Sequence, residues 1–272
     1  MTRLEQQLER SKQEQHRAKR QLAKQVSLCA AIAAFALSRV DNLQVAIRQQ
    51  LMPGALVRDV PSLLNDAFVL EVCKANEPSD VSSLKIEDHD LDQADSASLS
   101  AFTDLVHVAA GGNRLQLADF ATLPRLLTLE LPLNFIKDIN IAPQQLNSLT
   151  QLDLSHNTLA ASALRELGGL RSLRSLNLTH NDLNTLPLDL AAPISKDDDS
   201  LTAFPCLENL VLDDNRLAGP SAFQALAGLP VLLYLSLNRN RLTAVPTLVS
   251  EYDDDCTKPF AALEELSLTE NR

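Results

Sequence analysis

Residues 149–159, "LTQLDLSHNTL", decide the fold. Leu152 and Leu154 alternate with Asp153 and Ser155, the period of a half-buried strand, so the leucines face one side and the polar pair the other. Asn157 follows where such a strand must end, and its side-chain amide is able to bond backbone groups left unpaired in a bend. Leu159 then turns back inside. The spelling is Leu-x-x-Leu-x-Leu-x-x-Asn-x-Leu, and it returns about eight times from Val81 to Arg272.

Anchoring each copy on its Asn slot gives His89, Asn113, Asn134, Asn157, Asn181, Asn215, Asn240 and Asn271, separated by 24, 21, 23, 24, 34, 25 and 31 residues. The paired strand positions read Leu84/Ile86, Val108/Ala110, Leu129/Leu131, Leu152/Leu154, Leu176/Leu178, Leu210/Leu212, Leu235/Leu237 and Leu266/Leu268, with no charge among them. A further apolar column, Phe102, Leu123, Leu146, Leu170, Phe204, Leu229 and Phe260, stands three residues before the first Leu of the motif. This is the pattern of a leucine-rich repeat. One copy cannot bury its own apolar face, so stability must come from stacking on neighbours.

The fold class read from this pattern is α/β: a leucine-rich repeat solenoid with a parallel sheet on the concave face, a helical or irregular convex side, and a long N-terminal helix. Seven residues, Asn113, Asn134, Asn157, Asn181, Asn215, Asn240 and Asn271, form the expected structural ladder. The eighth repeat has Leu266 and Leu268 but only Arg272 after Asn271, and is read as truncated.

Three segments are expected. Residues 1–52 carry apolar or small residues from Leu4 to Leu51 near the 3.5-residue period of a coiled-coil seam, and Pro53-Gly54 ends them. They read as a self-associating or partner-binding helix, with a membrane-surface helix and disorder as alternatives. Residues 53–80 form a linker and an N-terminal capping helix over Pro61–Asn76, with Leu63, Leu64, Ala67, Phe68 and Val72 on its apolar stripe. Residues 81–272 are the repeats.

Charge and cysteine usage narrow the function. The net charge is −11 and residues 1–25 alone carry +4, leaving −15 elsewhere, which argues against a nucleic-acid partner. Cys29, Cys73, Cys206 and Cys256 are scattered with no CxxC, so a disulfide-capped secreted protein is disfavoured and a reducing, intracellular setting favoured. The apolar run Val26–Leu37 has 12 residues, short of the roughly 20 a bilayer requires. No transmembrane segment or cleavable leader is expected. The sequon Asn177-Leu178-Thr179 falls out of the repeat spelling.

No phosphate-binding loop, nucleophile elbow or His-Glu-x-x-His motif is present, and no enzyme activity, cofactor or metal is expected. His156 and His180 precede ladder residues in adjacent repeats but lack a third ligand. Two insertions, Ala192–Ala203 and Val249–Pro259, carry Asp197–Asp199 and Asp253–Asp255; solvated loops are the plain reading, an acidic patch or a phosphorylatable Ser195/Ser200 loop the functional one. The outward strand positions tile the concave surface instead. Candidate partner-binding residues are Glu130, Gln151, Asp153, Ser175, Asn177, Asn209, Tyr234, Ser236 and Glu265, with an acidic centre and one aromatic anchor.

Particular stretches go beyond the generic repeat. "FVLEVCKANEPSD" (68–80), "LLTLELPLNFIKDI" (126–139), "FPCLENLVLDDNRL" (204–217) and "FAALEELSLTENR" (260–272), with their two intervening insertions, resemble the X-ray radiation resistance-associated proteins. The resemblance covers about residues 68–272. It implies a non-catalytic cytoplasmic and nuclear repeat protein of the radiation response, whose longer C-terminal portion is missing here. The expected function is an intracellular scaffold that binds protein partners on the concave face. The alternative is a regulatory repeat module of a larger enzyme or phosphatase complex that continues past Arg272.

Overall fold

A computed structural model describes residues 63–142, 144–192, 202–247 and 259–271. The chain divides into units Met1–Asp59 and Val60–Arg272, and every described residue belongs to the second. The helix expected over residues 1–52 and both acidic triplets lie outside the described residues.

Eight three-residue strands make one parallel sheet. They are β2 (Ser83–Lys85), β4 (His107–Ala109), β5 (Thr128–Glu130), β6 (Gln151–Asp153), β7 (Ser175–Asn177), β8 (Asn209–Val211), β9 (Tyr234–Ser236) and β10 (Glu265–Ser267), in the spatial order β10-β9-β8-β7-β6-β5-β4-β2. A second, two-stranded sheet pairs β1 (Leu63–Leu64) with β3 (Gln93–Ala94), also in parallel. Register in the large sheet keeps like on like: Leu84, Val108, Leu129, Leu152, Leu176, Leu210, Leu235 and Leu266 face one another across successive strands. Because side chains alternate along a strand, that column points inward and the flanking residues point out; it is buried from Leu84 to Leu235, and Leu266 on the last strand is 39 % exposed.

Behind the sheet the return segments alternate between helix and irregular chain. Short helices span Ser96–Leu99, Ala163–Leu167 and Ser221–Leu226, and a 3-10 turn spans Leu117–Phe120. Phe102, Phe120 and Phe223 are buried at 1 % exposure or less and fill the space beneath them, so a chain without Trp still packs one continuous core. The helix Ala163–Leu167 ends at Gly168, where a Cβ would stand 2.9 Å from the Cβ of Ala203. Only glycine allows the two turns to approach so closely.

The ladder is present in atomic detail. Asn157 Nδ2 donates to the carbonyls of Leu154 (3.0 Å), Ser155 (3.2 Å) and, one repeat earlier, Leu131 (2.9 Å). Its Oδ1 accepts the backbone N–H groups of Asn134 (3.0 Å) and Ile136 (2.9 Å). The same pattern of donation recurs at Asn113, Asn134, Asn181, Asn215, Asn240 and Asn271. The residue before each ladder position is left-handed, with φ between 52° and 68° at Asp88, Gly112, Leu133, His156, His180, Asp214, Arg239 and Glu270. Side chains as different as Leu and Arg adopt it, so the backbone is set by the bend and its amide bonds rather than by the residue itself.

The N-terminal cap departs from the reading in one respect. The helix occupies Asp66–Cys73, and Leu63 and Leu64, expected on its apolar stripe, form β1 instead. Asn65 Oδ1 accepts the N–H of Phe68 at 2.9 Å and starts the helix there, while the Leu64 carbonyl accepts the N–H of Asp95 at 2.9 Å. Lys74, at φ 51°, ends it. The helix buries Val69 in the repeat core, and the Phe68 ring meets His89 edge-on with centroids 5.7 Å apart. His89 thus keeps the ladder's backbone bend, donating its N–H to Asn113 Oδ1 at 3.1 Å, while its ring turns out to seat the cap.

Candidate binding face

The outward residues of the eight strands form two columns. One runs Ser83, His107, Thr128, Gln151, Ser175, Asn209, Tyr234, Glu265; the other runs Lys85, Ala109, Glu130, Asp153, Asn177, Val211, Ser236, Ser267. All nine candidate residues therefore share one face. Gln151 and Glu265 are exposed, and Glu130, Asp153, Ser175, Asn177, Asn209 and Tyr234 half-buried. Ser236 is the exception: at 1 % exposure it lies beneath the surface. Its Oγ donates to Asp213 Oδ1 at 2.5 Å and accepts from Asn238 Nδ2 at 2.7 Å, so it braces its neighbours and is withdrawn from any partner.

Between β5 and β7 lies a depression of about 160 Å³ lined by Thr128, Glu130, Gln151, Asp153, Ser175 and Asn177. Its side chains are preset. Asp153 Oδ1 accepts the N–H of Ser155 at 2.7 Å and Oδ2 accepts Asn177 Nδ2 at 2.9 Å, while Asn177 Oδ1 accepts the Thr179 hydroxyl at 2.7 Å. At one end His107 bridges Ser83 Oγ (3.2 Å, at Nδ1) and Glu130 Oε1 (3.2 Å, at Nε2). Sequence reasoning missed Ser83, His107 and Thr128, although each stands in the Gln151 column and extending that column to the first three repeats finds them. It also missed Asp213 and Asn238, which link β8, β9 and β10: Asn238 Oδ1 accepts from Ser267 Oγ at 2.8 Å and from the N–H of Thr269 at 2.6 Å.

The rim of the face carries the left-handed row. There His156 and His180 stack with ring centroids 4.8 Å apart and planes 27° from parallel. Burial, together with the neighbouring His180, pushes the His156 imidazole below its ordinary range against the opposing pull of Asp153 and Asp214. Further along, Arg239 grips Asp214 through Nε (2.6 Å) and Nη2 (2.5 Å), which raises its already high value. Among the described residues no three His, Cys, Asp or Glu side chains are placed to hold a metal ion. Nor, among those residues, is any helix long and apolar enough to cross a membrane.

The family model described as "Leucine rich repeat" matches residues 124–183, the segment that supplies β5, β6 and β7. The fold is that of the leucine-rich repeat proteins. Among the relatives, X-ray radiation resistance-associated protein 1 of Mus musculus is 36 % identical over 195 residues, 68 % of this chain and 25 % of that protein. The resemblance read from residues 68–272 is thereby borne out. Tubulin-specific chaperone E of Danio rerio is 38 % identical over 97 residues, 36 % of this chain and 18 % of that one. The alpha subunit of geranylgeranyl transferase type-2 of Homo sapiens is 36 % identical over 99 residues, 36 % of this chain and 15 % of that one. The chain spans a quarter or less of the length of each of these three relatives.

Proposed function

We propose that the chain is an intracellular protein-interaction scaffold whose partner docks on the exposed face of the eight-stranded sheet. One observation carries this reading. The inward columns repeat nearly the same residue from turn to turn, whereas the outward columns change at almost every step and are held in place by their own hydrogen bonds. A pre-organised, non-repeating polar surface loses little side-chain freedom on binding and can single out one partner. Tyr234 supplies the aromatic anchor at one end. Similarity to X-ray radiation resistance-associated protein 1 supports a role in the cellular response to X-rays.

The test is capture of a protein partner from cells by the wild-type chain and by a variant with Glu130, Asp153 and Tyr234 changed to Ala. Loss of the partner, with the circular dichroism spectrum unchanged, is expected; undiminished capture removes this face from the account. Residues 1–52 add self-association in this reading. Sedimentation of the chain with and without them checks it, because equal masses per chain exclude that role.

A second reading, a regulatory repeat module of a larger enzyme, draws on the similarity to the geranylgeranyl transferase subunit. Under it the partner captured on the sheet face co-purifies with an enzyme activity that the chain raises or lowers when titrated back.

A further inference from the structure

Resting on the reading of the sheet as the docking face, we infer that the partner meets it with a basic segment whose lysine or arginine side chains enter the depression between β5 and β7. Four positions in each repeat lie on or border the face: the two outward strand residues, and the two residues that precede the ladder position. Over eight repeats these 32 positions hold eight carboxylates and two cations, Lys85 and Arg239. The other described residues hold fifteen carboxylates and nine cations. The excess of acid is thus four to one on the face against five to three elsewhere, and Arg239 is already committed to Asp214.

At the centre the arrangement is electrostatically unfinished. Glu130 and Asp153 occupy directly paired register positions on neighbouring strands. Like charges so placed oppose sheet formation, and the depression they wall contains hydroxyl and amide side chains but no cation. Each carboxylate has about four acceptor directions; Glu130 uses one, on His107, and Asp153 uses two, on Ser155 and Asn177. The remaining directions accept further N–H donors. An arriving guanidinium or ammonium group relieves the repulsion and finds acceptors already oriented, whereas an acidic or purely apolar segment does neither.

The probe is a short arginine-glycine-serine peptide, titrated at low ionic strength into the isotope-labelled full chain and followed by amide shifts. Shifts centred on Thr128, Gln151, Ser175 and the Asn177 side chain are expected. The isosteric pair Glu130→Gln/Asp153→Asn should weaken binding at least about tenfold. The charge-matched control Glu71→Gln/Glu166→Gln, on exposed helical positions, should leave it unchanged. Equal weakening by both pairs, or shifts scattered over the helices, overturns the inference by showing diffuse attraction only. The two readings fail separately: if Ser175→Trp abolishes partner capture while Glu130→Gln/Asp153→Asn leaves it intact, the face stands and the basic partner is rejected, whereas capture undiminished by Ser175→Trp rejects the docking face itself.

Discussion

Two columns of polar side chains run the length of the repeats with the same spacing and behave in opposite ways. The ladder places Asn in slot after slot, and from Asn113 to Asn240 none is more than 5 % exposed. From Glu130 through Asp153 and Asn177 to Val211 the outward column changes residue at each step and is half-exposed. A buried amide has one arrangement that satisfies its donors and acceptors, so every turn after the first, where His89 stands, uses the same residue. A surface position is bound by no such requirement. The ladder therefore reports how the chain folds, and the outward face is where we propose that recognition is encoded.

The largest break in that contrast comes from the ladder. Asn157→Ala removes the partner of two buried N–H groups and three carbonyls, and should cost about 3 kcal/mol or more. Urea denaturation measures it. A loss below about 1 kcal/mol would mean that water replaces the amide. Gly112→Val comes next: φ there is +68° and the new Cβ would lie 2.0 Å from Asp88 Oδ1, so about 2 kcal/mol is expected in the same assay. At the N-terminal cap, Asn65→Ala forfeits the bond to the Phe68 N–H for about 1 kcal/mol, with faster amide exchange in Asp66–Cys73 as the local signature.

Smaller still is a pH effect at the rim. The folded His156 imidazole lies below its ordinary value of 6.5, so between the folded and unfolded values the unfolded chain binds more protons. Stability is full above about 6.5 and declines as pH falls through that value toward the folded one. His156→Asn, which tolerates the left-handed backbone, should flatten the dependence of the urea midpoint on pH between neutrality and mild acid. An unchanged slope would assign the dependence to other groups.

Much of the ladder side of the contrast was legible in the sequence, because the repeat prints one structural constraint many times. Strand phase, register and the buried Asn column follow from that periodicity. What escaped depends on neighbours far along the chain. Leu63–Leu64 reads as helix because the residues after it are helical, and only Gln93–Ala94, some thirty residues later, make it a strand. Ser236 reads as surface by alternation and is buried by Asp213 and Asn238. His107 gains its place from Ser83 and Glu130, each about one repeat away. Periodicity locates the outward face, but the bonds that organise that face join residues which do not repeat.

The most direct test of the central claim is site-specific photo-crosslinking from both sides of the same core. A crosslinker at Ser175 stands on the exposed sheet face, and one at Glu166 stands on the helix Ala163–Leu167, whose Leu164 and Leu167 pack into the core from behind. The account predicts a discrete partner adduct from position 175 and none from position 166. An adduct from 166 alone, or equal adducts from both, would contradict it.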